Sequence, residues 1–210
     1  MKRLLLIAGL LAMTLTTQAT DLTLLTGYQF NTDFEISTLD HFPPILPPLT
    51  GEPGDSVALE EGSSFGLAMD FVFKNNPDQR IGFFISRQQT DFESNAGLLD
   101  ASMDVTHVHF TGMNYYPRGK MEYFVLLGIG VGFYSPGDKT LDDETRLSAQ
   151  IGAGANYKFS NSLLLRMDIR WLPTFFNVGG AAFCDGGCTI KLSSNVYNQV
   201  QVNIGLMYRY

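Results

Sequence analysis

Leu163-Leu164-Leu165-Arg166-Met167-Asp168-Ile169-Arg170-Trp171 decides the fold. Leu163, Leu165, Met167, Ile169 and Trp171 fall on one parity and Arg166, Asp168 and Arg170 on the other, the period of two expected of a β-strand. The final segment repeats the pattern, with Val200, Val202, Ile204, Leu206, Tyr208 and Tyr210 on one face and Gln199, Gln201, Asn203, Gly205 and Arg209 on the other. In a soluble β-protein the apolar face points inward. A closed barrel in lipid reverses this, because its apolar band faces hydrocarbon and its polar residues face the lumen.

Working outward, period-two alternation recurs in eight segments, at 21–30, 63–74, 80–91, 104–116, 122–134, 145–159, 163–176 and 195–210. Their connections alternate strictly in length. Asn75–Gln79, Pro117–Lys120 and Ser160–Ser162 are tight and rich in turn-forming residues, whereas 31–62, 92–103, 135–144 and 177–194 are long. Short turns at one end and long loops at the other mark a barrel entered from the periplasm, with both chain ends on the short-turn side. The pattern therefore predicts an all-β protein, an eight-stranded antiparallel up-and-down transmembrane β-barrel. No window after Ala19 is apolar for long enough to make a transmembrane helix.

Composition narrows the function. The 210 residues hold 21 acidic and 14 basic side chains, a net charge of -7, which leaves no basic footprint for nucleic acid. Two cysteines exclude a disulfide scaffold and a multi-thiolate metal centre. Met1-Lys2-Arg3, the apolar run from Leu4 to Leu15 and the small residues ending at Ala19 read as a secretory signal over residues 1–19, with residues 20–210 as the barrel domain. Cleavage there leaves 21 acidic and 12 basic residues, a net charge of -9.

Strand parity points Asp70, Arg80, His107, His109, Glu122, Arg146, Lys158, Arg166, Asp168, Arg170 and Arg209 into the lumen. Eight strands enclose a space just wide enough for their own side chains, so these charges are expected to form a paired network that fills the tube. Gly128, Gly130, Gly132, Gly152 and Gly154 share that inward face and make room for it. Phe65, Phe71, Phe73, Phe83, Tyr123, Phe133, Tyr157, Phe159, Trp171, Tyr208 and Tyr210 are expected outside, mostly near strand ends, as aromatic girdles.

On these residues the chain resembles the small outer-membrane β-barrel proteins of Gram-negative bacteria, the porin-like family related in shape to the OmpA transmembrane domain. Its ending, Ile204-Gly205-Leu206-Met207-Tyr208-Arg209-Tyr210, resembles the C-terminal assembly signal of such barrels, with Gly205, Tyr208 and Tyr210 as its parts and Tyr in place of the commoner terminal Phe. Phe183–Cys188 and Ser86-Arg87-Gln88 also resemble a subgroup of this family. The resemblance implies the cell outer membrane, lipopolysaccharide as a neighbour, and assembly by the barrel-insertion machinery.

Several constellations could carry chemistry. His107-Val108-His109 sets two imidazoles on one face and would need a carboxylate such as Glu122 to hold a metal. Asp40-His41 in the first loop is similar to a pair in outer-membrane proteases, which need further acidic partners and a larger barrel. Lipid A deacylases need a serine activated by an oriented histidine, but the residue two beyond His107 is another histidine and two beyond His109 is Thr111. Cys184 and Cys188 enclose Asp185-Gly186-Gly187 and are predicted to form a disulfide, since exported thiols meet an oxidising compartment. Phe42–Leu49 is proline-rich and stiff, suited to a partner or to a lid over the mouth. Asp55, Glu60, Glu61, Asp138, Asp142, Asp143 and Glu144 give the loop edges a solvated or cation-bridging acidic charge.

The expectation is a monomeric filled barrel with four extracellular loops and a structural or surface-interaction role, needing no cofactor. The alternatives are a narrow outer-membrane channel and a lipid A-modifying enzyme.

Overall fold

The computed structural model describes residues 20–32, 34–41, 56–94, 102–137, 143–176, 188–192 and 196–210, with the backbone alone for 20, 34–41, 56–59, 92–94 and 188–192. The signal segment 1–19, the proline-rich stretch 42–49, Asp55, Asp138, Asp142 and the Cys184–Cys188 pairing lie outside the described residues, as do the side chains of Asp40 and His41.

Eleven strands follow in chain order: β1 (Thr20–Asn31), β2 (Phe34–His41), β3 (Ser56–Leu59), β4 (Gly62–Phe73), β5 (Asn76–Ser94), β6 (Ser102–Arg118), β7 (Met121–Pro136), β8 (Glu144–Lys158), β9 (Leu163–Phe175), β10 (Cys188–Leu192) and β11 (Val196–Arg209). Eight of them, β1, β4 to β9 and β11, pair antiparallel with neighbours on both sides. The ring closes where β1 meets β11, from Asp21 opposite Arg209 to Asn31 opposite Gln199. These eight are the segments the alternation predicts. Closure removes the unpaired edges, whose backbone groups lipid could not satisfy.

Parity holds around the wall. Leu24, Phe65, Leu127, Ile129, Ile151, Ile169, Ile204 and Leu206 are exposed on the outside, while the alternate positions are buried within. At the turn end Phe73, Tyr116, Tyr123, Phe159, Tyr208 and Tyr210 point outward, and toward the loops Tyr28, Phe30, Phe65, Phe133, Trp171 and Phe175 do the same. Phe83 departs from the girdle pattern. It packs edge to face on Phe110, ring centroids 5.5 Å apart, where β5 and β6 pair between Ile81–Gly112 and Ile85–Val108, so it belongs to the hydrocarbon band.

The short connections behave as turns. Arg118 pairs with Met121, leaving Gly119-Lys120 as a two-residue hairpin loop in which Gly119 takes φ +62°, the left-handed region that favours glycine. The β8–β9 ladder lapses between Ser148–Thr174 and Ile151–Trp171, beside Pro173, which has no N–H to contribute. At the loop end β5 overruns the barrel and pairs with β3, β3 pairs with β2, and β2 pairs with β10. The long segments 31–62 and 177–194 therefore contain strands that their sequence does not announce as such.

Candidate functional site

The lumen is the site the sequence points to, and it is built in layers. At the turn end Arg209 of β11 donates to Asp21 of β1, Nε to Oδ1 at 3.0 Å, and to Glu122 of β7, Nη2 to Oε2 at 2.9 Å. Arg80 of β5 pairs with the same Asp21 carboxylate, and Lys158 Nζ of β8 lies 2.8 Å from Glu122 Oε1. This cluster ties β1, β5, β7, β8 and β11 together across the seam where the ring closes.

Above it sits Asp168. Its carboxylate accepts from Arg166 Nε at 3.0 Å, from Arg170 Nε at 2.8 Å and Nη2 at 2.9 Å, and from Asn203 Nδ2 at 2.8 Å. Arg166 Nη1 reaches Asp70 Oδ2 at 2.8 Å, and Arg170 Nη1 reaches Gln150 Oε1 at 3.2 Å. Both guanidiniums lie over aromatic faces, Arg166 on Phe124 at 4.5 Å and Arg170 on Phe84 at 3.6 Å, and Arg80 lies 3.9 Å from the Tyr115 ring centroid. Arg166 and Arg170 are each 1 % exposed. The paired guanidiniums and the rings under them occupy the middle of the tube. Gly154 makes this stacking possible, since a Cβ there would run into the Phe124 ring and the Met167 carbonyl.

The loop-side layer is chemically different. His107 Nε2 lies 2.8 Å from Gln199 Oε1 across the lumen, and His109 Nε2 lies 3.1 Å from Ser148 Oγ. Thr174 Oγ1 donates to Ser148 Oγ at 3.3 Å and receives the Tyr134 hydroxyl at 3.0 Å. Here most of the side chains are amides, hydroxyls and imidazoles. Arg146, at this end, pairs with Glu144 at 2.8 Å and lies 5.4 Å from the Phe176 ring.

Every predicted lumen charge is on the inner face, and the network takes in Asp70, Arg80, Glu122, Lys158, Arg166, Asp168, Arg170 and Arg209. Two points differ. Asp21, unexposed and holding both Arg80 and Arg209, is a member that sequence reasoning missed, although it shares the parity of buried Thr23, Leu25 and Gln29. Arg146 belongs to a separate pair with Glu144 near the mouth.

The histidines do not form the suggested metal site. Glu122 is engaged by Lys158 and Arg209 at the turn end, far along the barrel from His107, which pairs with Gly132 near the loop end of β7. The rings stand stacked, centroids 5.6 Å apart and 17° from parallel, and so do not converge on one ion. Among the described residues no group of three or more His, Cys, Asp or Glu side chains could hold a metal.

Ser148 is the serine that no local motif reveals. It comes within reach of His109 only because Gly130 intervenes on β7, where a side chain would collide with the Val108 carbonyl. Among the described residues the pair has no third member of a catalytic triad, for His109 Nδ1 finds no hydrogen-bond partner there. It also faces the lumen, fully buried, and not the lipid outside.

No protein-family model matches the chain, and no curated protein matches it. Solved structures do. Neisserial surface protein A is similar over 92% of this chain and 98% of its own, with 10% identity and a TM-score of 0.56. The outer membrane protein OprG from Pseudomonas aeruginosa is similar over 92% of this chain and 97% of its own, with 15% identity and a TM-score of 0.50. At such identities the likeness is one of fold. Taken with an outer wall that is apolar between aromatic girdles, it makes the chain an eight-stranded β-barrel of the outer-membrane type.

Proposed function

We infer that this protein is a monomeric outer-membrane barrel whose filled lumen is structural and whose loop end is the interacting surface. The observation that carries this reading is the Asp70–Arg166–Asp168–Arg170 network, with Phe84 and Phe124 stacked against it across the middle of the tube. A pore of this width would need such a layer to break apart before a hydrated ion could pass. The overrun of β5 with β3, β2 and β10 supports the second half of the reading, since it builds sheet beyond the barrel wall at the loop end.

In this reading lipopolysaccharide surrounds the loop-side girdle, and Gly205, Tyr208 and Tyr210 are read by the barrel-assembly machinery. No catalytic step is assigned to the chain: the Ser148–His109 pair is buried in the lumen and has no orienting acid among the described residues. Conductance in a planar bilayer tests the reading. The folded protein is expected to be silent. Discrete steps that change when Arg166→Gln or Arg170→Gln is introduced would make it a gated channel instead.

A further inference from the structure

The outer wall is not uniformly convex. On the lipid face of β1, β11, β9 and β8, where Thr26, Ile204, Met167 and Ala155 stand opposite one another in register, small side chains leave a depression of about 840 Å³. Ala153 and Ala155 form its floor, where neighbouring strands carry Ile169, Ile204 and Met167. Its lower lip is Tyr123, two residues above the β6–β7 turn, and it rises obliquely from there to Tyr28. The lining is almost wholly apolar, as suits an acyl chain and not a polar solute.

A second observation is independent of shape. The turn end exposes Lys74, Arg118 and Lys120 on two hairpins flanking the β5–β6 pair, against Asp78 alone. None of the three cations forms an ion pair among the described residues. Lys120 and Arg118 lie at the foot of the strand that carries Tyr123, and the Lys120 carbonyl accepts from the backbone N–H of Lys158, on the strand that carries Ala155. An apolar groove that opens at an interface beside unpaired cations fits one amphiphile.

We propose that this groove is a binding site for an anionic phospholipid of the turn-side leaflet, with an acyl chain over Ala153 and Ala155 and the phosphate at Lys120 and Arg118. The charge selects the headgroup and the depression holds the chain, so the two contributions separate experimentally. Each exposed cation near a membrane surface favours an anionic lipid by about fivefold.

Native mass spectrometry of the purified full-length barrel, in detergent with equal amounts of phosphatidylglycerol and phosphatidylethanolamine of the same acyl chains, reads both. One retained phosphatidylglycerol, preferred over phosphatidylethanolamine, is expected. Lys120→Ala with Arg118→Ala should abolish the preference, and Ala153→Leu with Ala155→Leu should release both lipids alike. These positions face lipid or water, and the shift in gel migration between unboiled and boiled protein confirms that each variant is folded. Equal retention of the two lipids by the unaltered barrel overturns the proposal, as does a preference that survives removal of both cations. Retention unchanged by the leucines overturns the groove.

Discussion

The two halves of the lumen solve the same problem of burial in opposite ways. In the turn-side and central half four carboxylates, Asp21, Asp70, Glu122 and Asp168, are each held by at least one of five cations, Arg80, Lys158, Arg166, Arg170 and Arg209. In the loop-side half the inner face is lined mostly by amides, hydroxyls and imidazoles, with the Arg146–Glu144 pair near the mouth, and Ser86 Oγ, Gln88 Oε1, His107 Nδ1, His109 Nδ1 and Gln201 Oε1 have no hydrogen-bond partner among the described residues. The difference teaches where the barrel is stiff. A charge taken out of water must find its counter-charge, so each carboxylate of the lower layers holds a cation, even though Thr23 Oγ1 and Arg80 Nε there find no partner among the described residues. A neutral amide or hydroxyl left unpaired costs far less, and the upper layer is held mainly by hydrogen bonds such as the chain from Tyr134 through Thr174 and Ser148 to His109.

That contrast can be broken by substitution. Asp168→Ala should have the largest effect, because it leaves buried Arg170 with no carboxylate partner among the described residues, only Gln150, and Arg166 with Asp70 alone; the loss expected for breaking a buried pair is about 3–5 kcal/mol, read by urea unfolding of the refolded barrel. Arg209→Ala should cost less, about 1–2 kcal/mol, since Asp21 keeps Arg80 and Glu122 keeps Lys158. Arg209→Lys should recover only part of that, because a lysine cannot span two carboxylates with a planar fork.

Loop-side changes sharpen the comparison from below. Gln199→Leu removes the bond to His107 across the lumen and the one that Gln199 Nε2 donates to Asn31 Oδ1 at 3.0 Å, and should cost about 1–2 kcal/mol. If it costs as much as Asp168→Ala, the division into a stiff half and a loosely held half is wrong. The smallest effect belongs to Arg87, whose pair with Asp104 at 2.8 Å lies on the outer surface with the arginine 65% exposed. Arg87→Ala should shift stability by less than about 1 kcal/mol, and raised salt should erase the shift.

The strands were legible because each has one face that tolerates only apolar residues, so their segments, the outward aromatics and the inward charges follow from parity alone. Asp21 was lost because it stands at the first turn of alternation after the signal segment, where its pairing with Arg209 depends on ring closure between the two ends of the chain. The strands β2, β3 and β10 were lost for another reason. They lie among prolines, glycines and acids, and they pair in relay, β3 on the overrun of β5, β2 on β3 and β10 on β2, which no period within any one of them announces. Phe83 shows the limit of reading girdles from strand position, since β5 extends well past the membrane and shifts the centre of its apolar face.

The sequence by itself determined that this chain closes into an eight-stranded barrel with charge inside, because a two-residue period in lipid leaves no other way to satisfy the backbone and separate the faces. Only the tertiary structure decided who holds whom. Residues 188 apart in the chain, Asp21 and Arg209, meet through closure, and Ser148 reaches His109 across a glycine on the strand between them. The groove behind Tyr123 arises in the same way, from small residues on separate strands brought level by register. Parity is a property of one strand, whereas register and shear belong to the whole ring, and partners across a lumen are fixed by these last two.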